Sequence, residues 1–245
     1  RSIWVTGVQT CALPISVRRA TGFRPVVLVA GADGATGQLI ARRARDEGYS
    51  VRATSQDEPA SRSTMWGDYE WLQLDVRDGR AVRDALHNVE YIVCAVNAQV
   101  ADGPEGPQFI DYRGVVNLID AAAAARVRHF VLISSAIAGT HRDQTKQPRH
   151  GFALLWKTKA EEHLKASGLP YTIVGAAGLR DAQAASQGLH VVRRESYRSS
   201  TVAREDVARV AIDALRNPAA RGKTFALFNE DRKSTRLNSS HPYRS

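Results

Sequence analysis

The chain has 245 residues, of which 43% are hydrophobic, and this length and composition are sufficient for one globular domain with a buried core. No apolar run approaches the roughly 18 residues that a membrane-spanning helix needs, so the sequence predicts no membrane span. Two cysteines, Cys11 and Cys94, are too few for a disulfide framework or a metal cluster. They favour a reducing compartment, and we expect a cytoplasmic protein without a metal site.

The net charge of +9 is concentrated at the two ends of the chain. Residues 1–23 carry three arginines and residues 232–245 carry four basic side chains, in both cases without an acid, which leaves only +2 for residues 24–231. Neither end has the dense basic run of a nucleic-acid arm or the continuous apolar segment of a signal peptide. Both resemble translated sequencing-adapter read-through. We therefore expect two non-native tails around a domain at 24–231, and no nucleic-acid partner.

The first predicted element is a strand that ends in a glycine-rich turn. The apolar run VVLVA at residues 26–30 predicts a strand buried on both faces, and Gly31, Gly34 and Gly37 allow a tight turn with close backbone approach. A helix is predicted over residues 38–45. Its N-terminus would stabilise a diphosphate through free N–H groups and the helix dipole, so this stretch predicts a dinucleotide site.

Strand and helix patterns then alternate along the chain. Such alternation predicts an α/β fold, a doubly wound parallel sheet of the Rossmann-like kind, in a single domain with a small C-terminal lobe on the substrate side. The short segment at residues 180–200 would lie over the bound substrate. The further predicted strands cover residues 49–55, 70–75, 90–96, 129–134, 171–174 and 224–228. The further predicted helices cover residues 80–87, 109–125, 154–166 and 205–215.

Several sequence blocks within residues 25–230 occur in an order that resembles one family. These blocks are LDVRD at 74–78, DYRGVVNLIDAAAAARVRHFVLISS at 111–135, WKTKAEEHLKASGLPYTIV at 156–174, AREDVARVAIDAL at 203–215 and GKTFAL at 222–227. Together with the glycine loop they resemble the NmrA-like, NAD(P)H-binding group of atypical short-chain dehydrogenases/reductases. Its members include reductases, redox-sensing regulators and assembly or tethering factors, so the resemblance alone leaves the function open.

The resemblance implies which residues bind the cofactor. Asp75 and Val76 would lie beside the adenine, where a carboxylate accepts from the exocyclic amine. Ala95 and Val96 would pack against the adenosine half, although core packing is the alternative for Val76 and Val96. The residues implied to surround the diphosphate are Gly31, Gly34, Ala35, Thr36 and Gly37.

The end of the second predicted strand bears on the choice of cofactor. Gln56 stands where relatives often carry an arginine for the 2′-phosphate of NADP. Neither Ser55 nor Gln56 is an acid that would bind the ribose diol of NAD, although Asp57 is adjacent. Ser55 and Gln56, with Arg52, favour NADP as the cofactor, and NAD is the alternative.

The catalytic residues are also implied by the resemblance. Ser134 ends the fifth strand, where relatives place a polar group near the nicotinamide, and Lys157 corresponds to the lysine that contacts the nicotinamide ribose. The usual proton-donating tyrosine is replaced by Ala153. A general acid contributes about 100- to 10,000-fold, so we expect poor carbonyl reduction and a small acceptor such as a flavin or quinone. Alternative proton donors, each also typical of surface, core or capping positions, are His150, Ser135 and Tyr112.

One further departure concerns the end of the sixth strand. Gly175 and Ala176 stand where the family commonly has arginine and proline, which removes part of the wall expected near the nicotinamide. Two functions fit these patterns. The favoured one is an NAD(P)H-dependent oxidoreductase that acts on a small hydrophobic acceptor, and the alternative is a non-catalytic dinucleotide-binding redox sensor or assembly scaffold. The sequence leaves the oligomeric state open.

Overall fold

Ten strands form one sheet in the computed structural model, which describes residues 24–56, 69–140, 152–184 and 188–230. In chain order they are β1 (Val26–Ala30), β2 (Ser50–Ser55), β3 (Glu70–Gln73), β4 (Tyr91–Cys94), β5 (His129–Ser135), β6 (Tyr171–Ala176), β7 (Gly178–Arg180), β8 (Gly188–Val192), β9 (Thr201–Ala203) and β10 (Lys223–Glu230). Their order across the sheet is β3-β2-β1-β4-β5-β6-β10-β9-β7, and β8 pairs with β10. Strands β1 to β6 and β10 are parallel, which confirms the predicted doubly wound α/β fold.

Helices cover both faces of this sheet. They are α1 (Ala35–Asp46), α2 (Gly79–Ala85), α3 (Val115–Ala124), α4 (Ala153–Ala166) and α5 (Arg204–Arg216). Short 3-10 turns lie at Gly103–Glu105, Arg194–Ser196 and Pro218–Ala220. None of the helices within the described part of the chain has the length and apolar character that crossing a bilayer requires.

Side chains of β1 alternate between two separate hydrophobic cores. Val27 and Val29 belong to the core that contains buried residues of α1 and α5. Leu28 and Ala30 belong to the core on the other face, with buried residues of α2, α3 and α4. Both faces of the strand are therefore apolar, which explains why its sequence is a continuous hydrophobic run rather than an alternating one.

The predicted helix over 109–125 is divided into two parts. Residues Gln108–Gly114 form a π-helical turn before α3, and the Tyr112 N–H donates to the Pro107 carbonyl at 3.1 Å. A Cβ atom at Gly114 would lie 2.4 Å from Val76 Cγ2, so the turn packs tightly against Val76, three residues after the end of β3. π-helical turns are frequent at functional sites, and this one carries the buried Asp111.

The C-terminal lobe extends the sheet. Residues 178–203, here called the lobe, contain β7, β8 and β9, which the sequence did not indicate as strands. Strand β8 pairs with β10 in antiparallel register, from Ala226 opposite Val192 to Glu230 opposite Gly188. Strands of three to five residues without clear alternation carry little sequence signal, since their pairing depends on the neighbouring strand.

Several sequence predictions concern residues that the structure does not describe. The expected tails at 1–23 and 232–245 lie outside the described residues. So do Asp57, considered for the ribose diol, and His150, considered as a proton donor.

A buried histidine should make the fold sensitive to acid. His129 Nε2 lies 2.9 Å from Thr172 Oγ1, whose hydroxyl donates to the Ala220 carbonyl at 2.7 Å. Burial, assisted by the positive charge of Arg221, lowers the pKa of His129 from 6.5 to about 4. A histidine with a lowered pKa stabilises the fold above its unfolded-state pKa, so this contribution, about 3 kcal/mol, should be lost as the pH falls from 6.5 to 4.

The free energy of unfolding in denaturant at pH 7 and pH 4.5 measures this loss. His129→Gln, which retains a donor for Thr172, should flatten the pH dependence. The exposed His87 provides the control, since His87→Gln should leave the dependence unchanged. An equally steep loss in His129→Gln would show that another group causes the acid sensitivity.

Candidate functional site

The turn between β1 and α1 has a shape that excludes side chains at two glycines. Gly31 has a φ of +76°, and a Cβ atom there would lie 3.0 Å from the Ala95 carbonyl oxygen. A Cβ atom at Gly37 would lie 2.0 Å from the Gly31 oxygen, which is an impossible contact. The amides of Gly31 and Ala32 donate to the Thr54 carbonyl, at 3.1 and 2.9 Å. The loop is thus held against the carboxyl ends of β2 and β4.

The N-terminus of α1 suits an anionic group. Its N-cap residue is Gly34, so no side chain caps the helix, and the first N–H groups of a helix have no partner within it. A Cβ atom at Gly34 would meet only the Gly31 oxygen, at 3.5 Å, which leaves the space beyond it open. Ala35 and Thr36 complete this first turn. A dinucleotide diphosphate fits this cradle, because the exposed amides and the helix dipole both favour negative charge.

The predicted adenine residues are engaged with other groups of the protein. The Arg77 guanidinium donates to Asp75, with Nε 2.9 Å from Oδ1 and Nη2 2.6 Å from Oδ2. This bond lowers the pKa of Asp75, so the carboxylate is charged at neutral pH. Val76 packs in the core against Gly114, as the alternative of core packing required. Contact of Asp75 and Val76 with adenine stays a prediction.

The end of β2 has a different electrostatic environment from the predicted one. The guanidinium of Arg52 donates to Glu70 at 2.9 Å and to the carbonyls of Ala85 and His87 at 2.8 Å each. These partners occupy the guanidinium of Arg52 in the structure, and a contribution of Arg52 to NADP binding stays a prediction. Gln56 instead donates to the carboxylate of Glu105, at 3.4 Å. Since Glu105 is distant in sequence, no local pattern indicated it.

A buried ion pair positions Lys157. Its ammonium lies 2.5 Å from Asp111 Oδ1, and the Ala98 amide donates to Asp111 Oδ2 at 3.1 Å. The side chain of Asp111 is 1% exposed and that of Lys157 is 16% exposed. Lys157, Ser134 and Val96 line one small pocket at the carboxyl ends of β4 and β5. The structure therefore brings together three of the residues that the sequence predicted, and adds Asp111.

The predicted catalytic hydroxyl is oriented toward the protein interior. Ser134 Oγ donates to Glu161 Oε1 at 2.5 Å, and both residues are buried. Ser135 is half-buried, and its hydroxyl accepts from the Ile137 amide at 3.4 Å. Ala153 begins α4, one turn before Lys157, and carries no proton donor. A catalytic role for Ser134 stays a prediction, and it would require exchange of the bond to Glu161.

The matching family model is described as NAD(P)H-binding, and it covers residues 31–218. The chain belongs to this NmrA-like NAD(P)H-binding family. An uncharacterized chloroplastic protein of Arabidopsis thaliana is 31% identical over 88% of this chain and 73% of its own length. Sanguinarine reductase of Eschscholzia californica is 29% identical over 82% of the chain and 88% of its own length. The photosystem II assembly factor Ycf39 of Cyanophora paradoxa is 33% identical over 62% of the chain, which spans 45% of that relative.

Solved structures of other proteins have the same fold as this chain. A putative NAD-dependent epimerase/dehydratase from Bacillus halodurans has a TM-score of 0.74 at 23% identity, over 84% of this chain and 95% of that one. ChuY, an anaerobilin reductase from Escherichia coli, has a TM-score of 0.67 at 22% identity, over 89% of this chain and 100% of its own. Within the described residues, no group of three or more His, Cys, Asp or Glu side chains could hold a metal ion.

A charge placed at the diphosphate cradle should abolish dinucleotide binding. Gly34→Asp brings a carboxylate to the space beyond the first turn of α1, where it would repel the diphosphate. Isothermal calorimetry with NADH and NADPH measures the affinity. We expect a loss of at least about 100-fold, since a charge-assisted contact is replaced by like-charge repulsion.

Gly34→Asn is the matched control, because it has nearly the same volume without the charge. It should bind more tightly than Gly34→Asp. Unchanged affinity in a folded Gly34→Asp variant would place the dinucleotide elsewhere.

Proposed function

We propose that this protein is an NAD(P)H-dependent oxidoreductase that reduces a small hydrophobic acceptor. The observation that carries the proposal is the position of two features on one edge of the sheet. The glycine cradle at the N-terminus of α1 opens at the carboxyl end of β1, and the pocket of Lys157 lies at the carboxyl ends of β4 and β5. In doubly wound sheets, dinucleotides bind across this edge, where the strand order reverses.

The side chains of the pocket would bind and orient rather than transfer protons. Asp111 pairs with Lys157 and holds its ammonium in the lining of this small pocket, from which it would donate to ribose hydroxyls bound at this edge of the sheet. Val96 and Ile133 provide apolar walls beside it. A bound nicotinamide would supply a hydride to the acceptor. The polypeptide contributes the position and the electrostatic environment for that transfer.

The absence of a side-chain acid at Ala153 restricts the acceptor. Reduction of an aldehyde or ketone by hydride creates an alkoxide, which needs a proton as it forms. A quinone or flavin takes up a hydride and one proton, but its intermediate anion is delocalised, so water can supply the proton. The relative named sanguinarine reductase supports an enzyme of this general kind. We therefore propose a conjugated acceptor, with residues of the lobe covering it.

The second candidate is a dinucleotide-binding sensor or assembly scaffold without turnover. It is favoured by Ala153 and by the bond that turns the Ser134 hydroxyl toward Glu161, since both remove expected donors from the pocket. The name of the relative Ycf39, a photosystem II assembly factor, supports it.

A cytoplasmic location is a further proposal, which depends only on the cysteine content.

The cofactor preference is part of the proposal. Ser55 and Gln56 are compatible with NADP, the cofactor that the sequence favoured. Glu105 opposes it, because a carboxylate beside Gln56 would accept from a ribose diol and repel a 2′-phosphate. We infer that NAD binds at least as tightly as NADP.

Neutralising Glu105 tests this preference. Glu105→Gln should raise the affinity for NADP relative to NAD by about tenfold, which corresponds to roughly 1.4 kcal/mol of relieved repulsion. Calorimetric titration with both cofactors gives the ratio. Asp102 is an exposed acid directly before the 3-10 turn that contains Glu105. Asp102→Asn should therefore leave the ratio of the NADP and NAD affinities unaltered. An identical ratio in Glu105→Gln would mean that Glu105 lies too far from the ribose.

Turnover with a panel of acceptors tests the proposed reaction. Oxidation of NADH and NADPH is followed by absorbance with quinones, flavins and aldehydes. We expect turnover with a quinone or flavin and slow turnover with aldehydes. Binding of NAD(P)H without turnover of any acceptor would favour the sensor or scaffold.

Restoring a proton donor should change the acceptor preference. Ala153→Tyr should raise aldehyde reduction by up to about 100-fold, because the phenol would stand one turn from Lys157, whose charge favours its ionisation. Pairing of Lys157 with Asp111 limits that effect. Ala153→Phe has a similar ring without the hydroxyl and should give no gain. Fast aldehyde reduction by the unmodified protein would contradict the argument and indicate another acid.

A further inference from the structure

Arg194 makes a buried connection between the lobe and the strand that ends at the pocket. Its Nη1 lies 2.6 Å from Glu161 Oε2 and its Nη2 lies 2.9 Å from Glu161 Oε1, a bidentate arrangement. The same Nη1 donates to the Ala138 carbonyl at 2.7 Å, just after β5. The side chains of Arg194 and Glu161 are 5% and 1% exposed.

Glu161 joins this connection to the pocket itself. Its Oε1 accepts from Arg194 Nη2 and also from the hydroxyl of Ser134, which lines the pocket with Lys157. Lys165 lies 4.0 Å from Oε2 and is much more exposed. The chain of contacts therefore leads from the lobe, through Arg194 and Glu161, to the end of β5.

The guanidinium of Arg194 occupies space that only a glycine leaves free. A Cβ atom at Gly175 would lie 2.8 Å from Arg194 Nε and 3.0 Å from Nη2. Gly175 pairs with Ser134 in the parallel register of β5 and β6, so the arginine lies over the last rungs of both strands. This guanidinium comes from the 3-10 turn Arg194–Ser196 of the lobe, so a side chain of the lobe fills the space beside Gly175.

We propose that Arg194 is a positioning residue, which fastens the lobe to the carboxyl end of β5 and so orders the nicotinamide end of the cofactor site. The proposal rests on the dinucleotide site proposed above. With the diphosphate on α1, the adenosine half of the cofactor would lie toward the ends of β2 and β3 and against the residues after β4, and the nicotinamide end would lie toward the end of β5. The contacts given above join Arg194 to Ala138 after β5, to Glu161 of α4 and to Gly175 of β6, all away from β2 and β3, so its effect should be confined to the nicotinamide end.

Two ligands that differ only in the nicotinamide ring test this effect. NADH or NADPH, whichever binds more tightly, reports on the whole site, and ADP-ribose or its 2′-phosphate reports on the same cofactor without the nicotinamide. Arg194→Met removes the guanidinium and retains an unbranched apolar side chain. It should weaken binding of the dinucleotide by roughly tenfold, a typical coupling between neighbouring groups, and change binding of the ADP-ribose ligand by less than about twofold.

Three further variants define the cause. Arg193→Met changes the exposed neighbouring arginine, so it should alter neither affinity. Arg194→Lys keeps the charge and loses the bidentate geometry, so it should recover only part of the dinucleotide affinity. Glu161→Gln removes the charge on the other partner and should reproduce the selective loss. If Arg194→Met does not fold, Arg194→Lys and Glu161→Gln decide the question.

Each outcome has a defined meaning. If a folded Arg194 or Glu161 variant loses affinity equally for both ligands, or for neither, the positioning role is overturned. The proposed dinucleotide site would stand in either case. If the unmodified protein binds neither ligand, the proposed function fails instead.

Amide hydrogen exchange tests directly whether Arg194 holds the lobe to the end of β5. Residues 188–192 and 134–138 should exchange faster in Arg194→Met than in Arg193→Met. Equal exchange would overturn the fastening.

Discussion

Val27 and Val29 pack under α1 and α5, and Leu28 and Ala30 pack under the helices of the opposite face, so β1 has no side exposed to water. A strand buried in this way can present functional groups only where it ends. At its carboxyl end the backbone must turn at once into α1, and the 2.0 Å approach of a Gly37 Cβ to the Gly31 oxygen shows how little space remains. The same turn exposes the amides that would bind a diphosphate. The close packing around β1 therefore determines both the buried core of the protein and the shape of its anion-binding turn.

Two buried ion pairs organise the polar groups around the pocket of Lys157. Asp111 with Lys157, and Glu161 with Arg194, each join segments that are far apart in sequence. Buried ion pairs contribute little net stability, because desolvation offsets their attraction, but breaking one leaves a costly unpaired charge. Their value here is geometric. One pair holds an ammonium at the pocket, and the other holds the lobe against the end of β5.

These pairs also relate the two candidate functions. A site that holds Lys157 in its lining, but has Ala153 at the acid position and Ser134 bonded to Glu161, is better equipped to bind a nicotinamide than to protonate an alkoxide. An enzyme with such a site would depend on acceptors that stabilise their own negative charge. A sensor would need only the coupling between the cofactor and the lobe, which Arg194 provides in either case.

The sequence by itself determined the order of the helices and of the parallel strands, the glycine turn and the position of Lys157 on its helix, but not the short strands β7, β8 and β9. These features follow from local rules, since burial patterns, turn residues and helical spacing are read within about 15 residues. Only the tertiary structure decided which partners the charged side chains take. Arg52 donates to the His87 carbonyl before β4, and Gln56 donates to Glu105. Arg77 donates to Asp75, and Arg194 donates to Glu161. Most of these contacts join residues more than 30 positions apart, so they depend on how the elements pack and leave no periodic trace in the sequence.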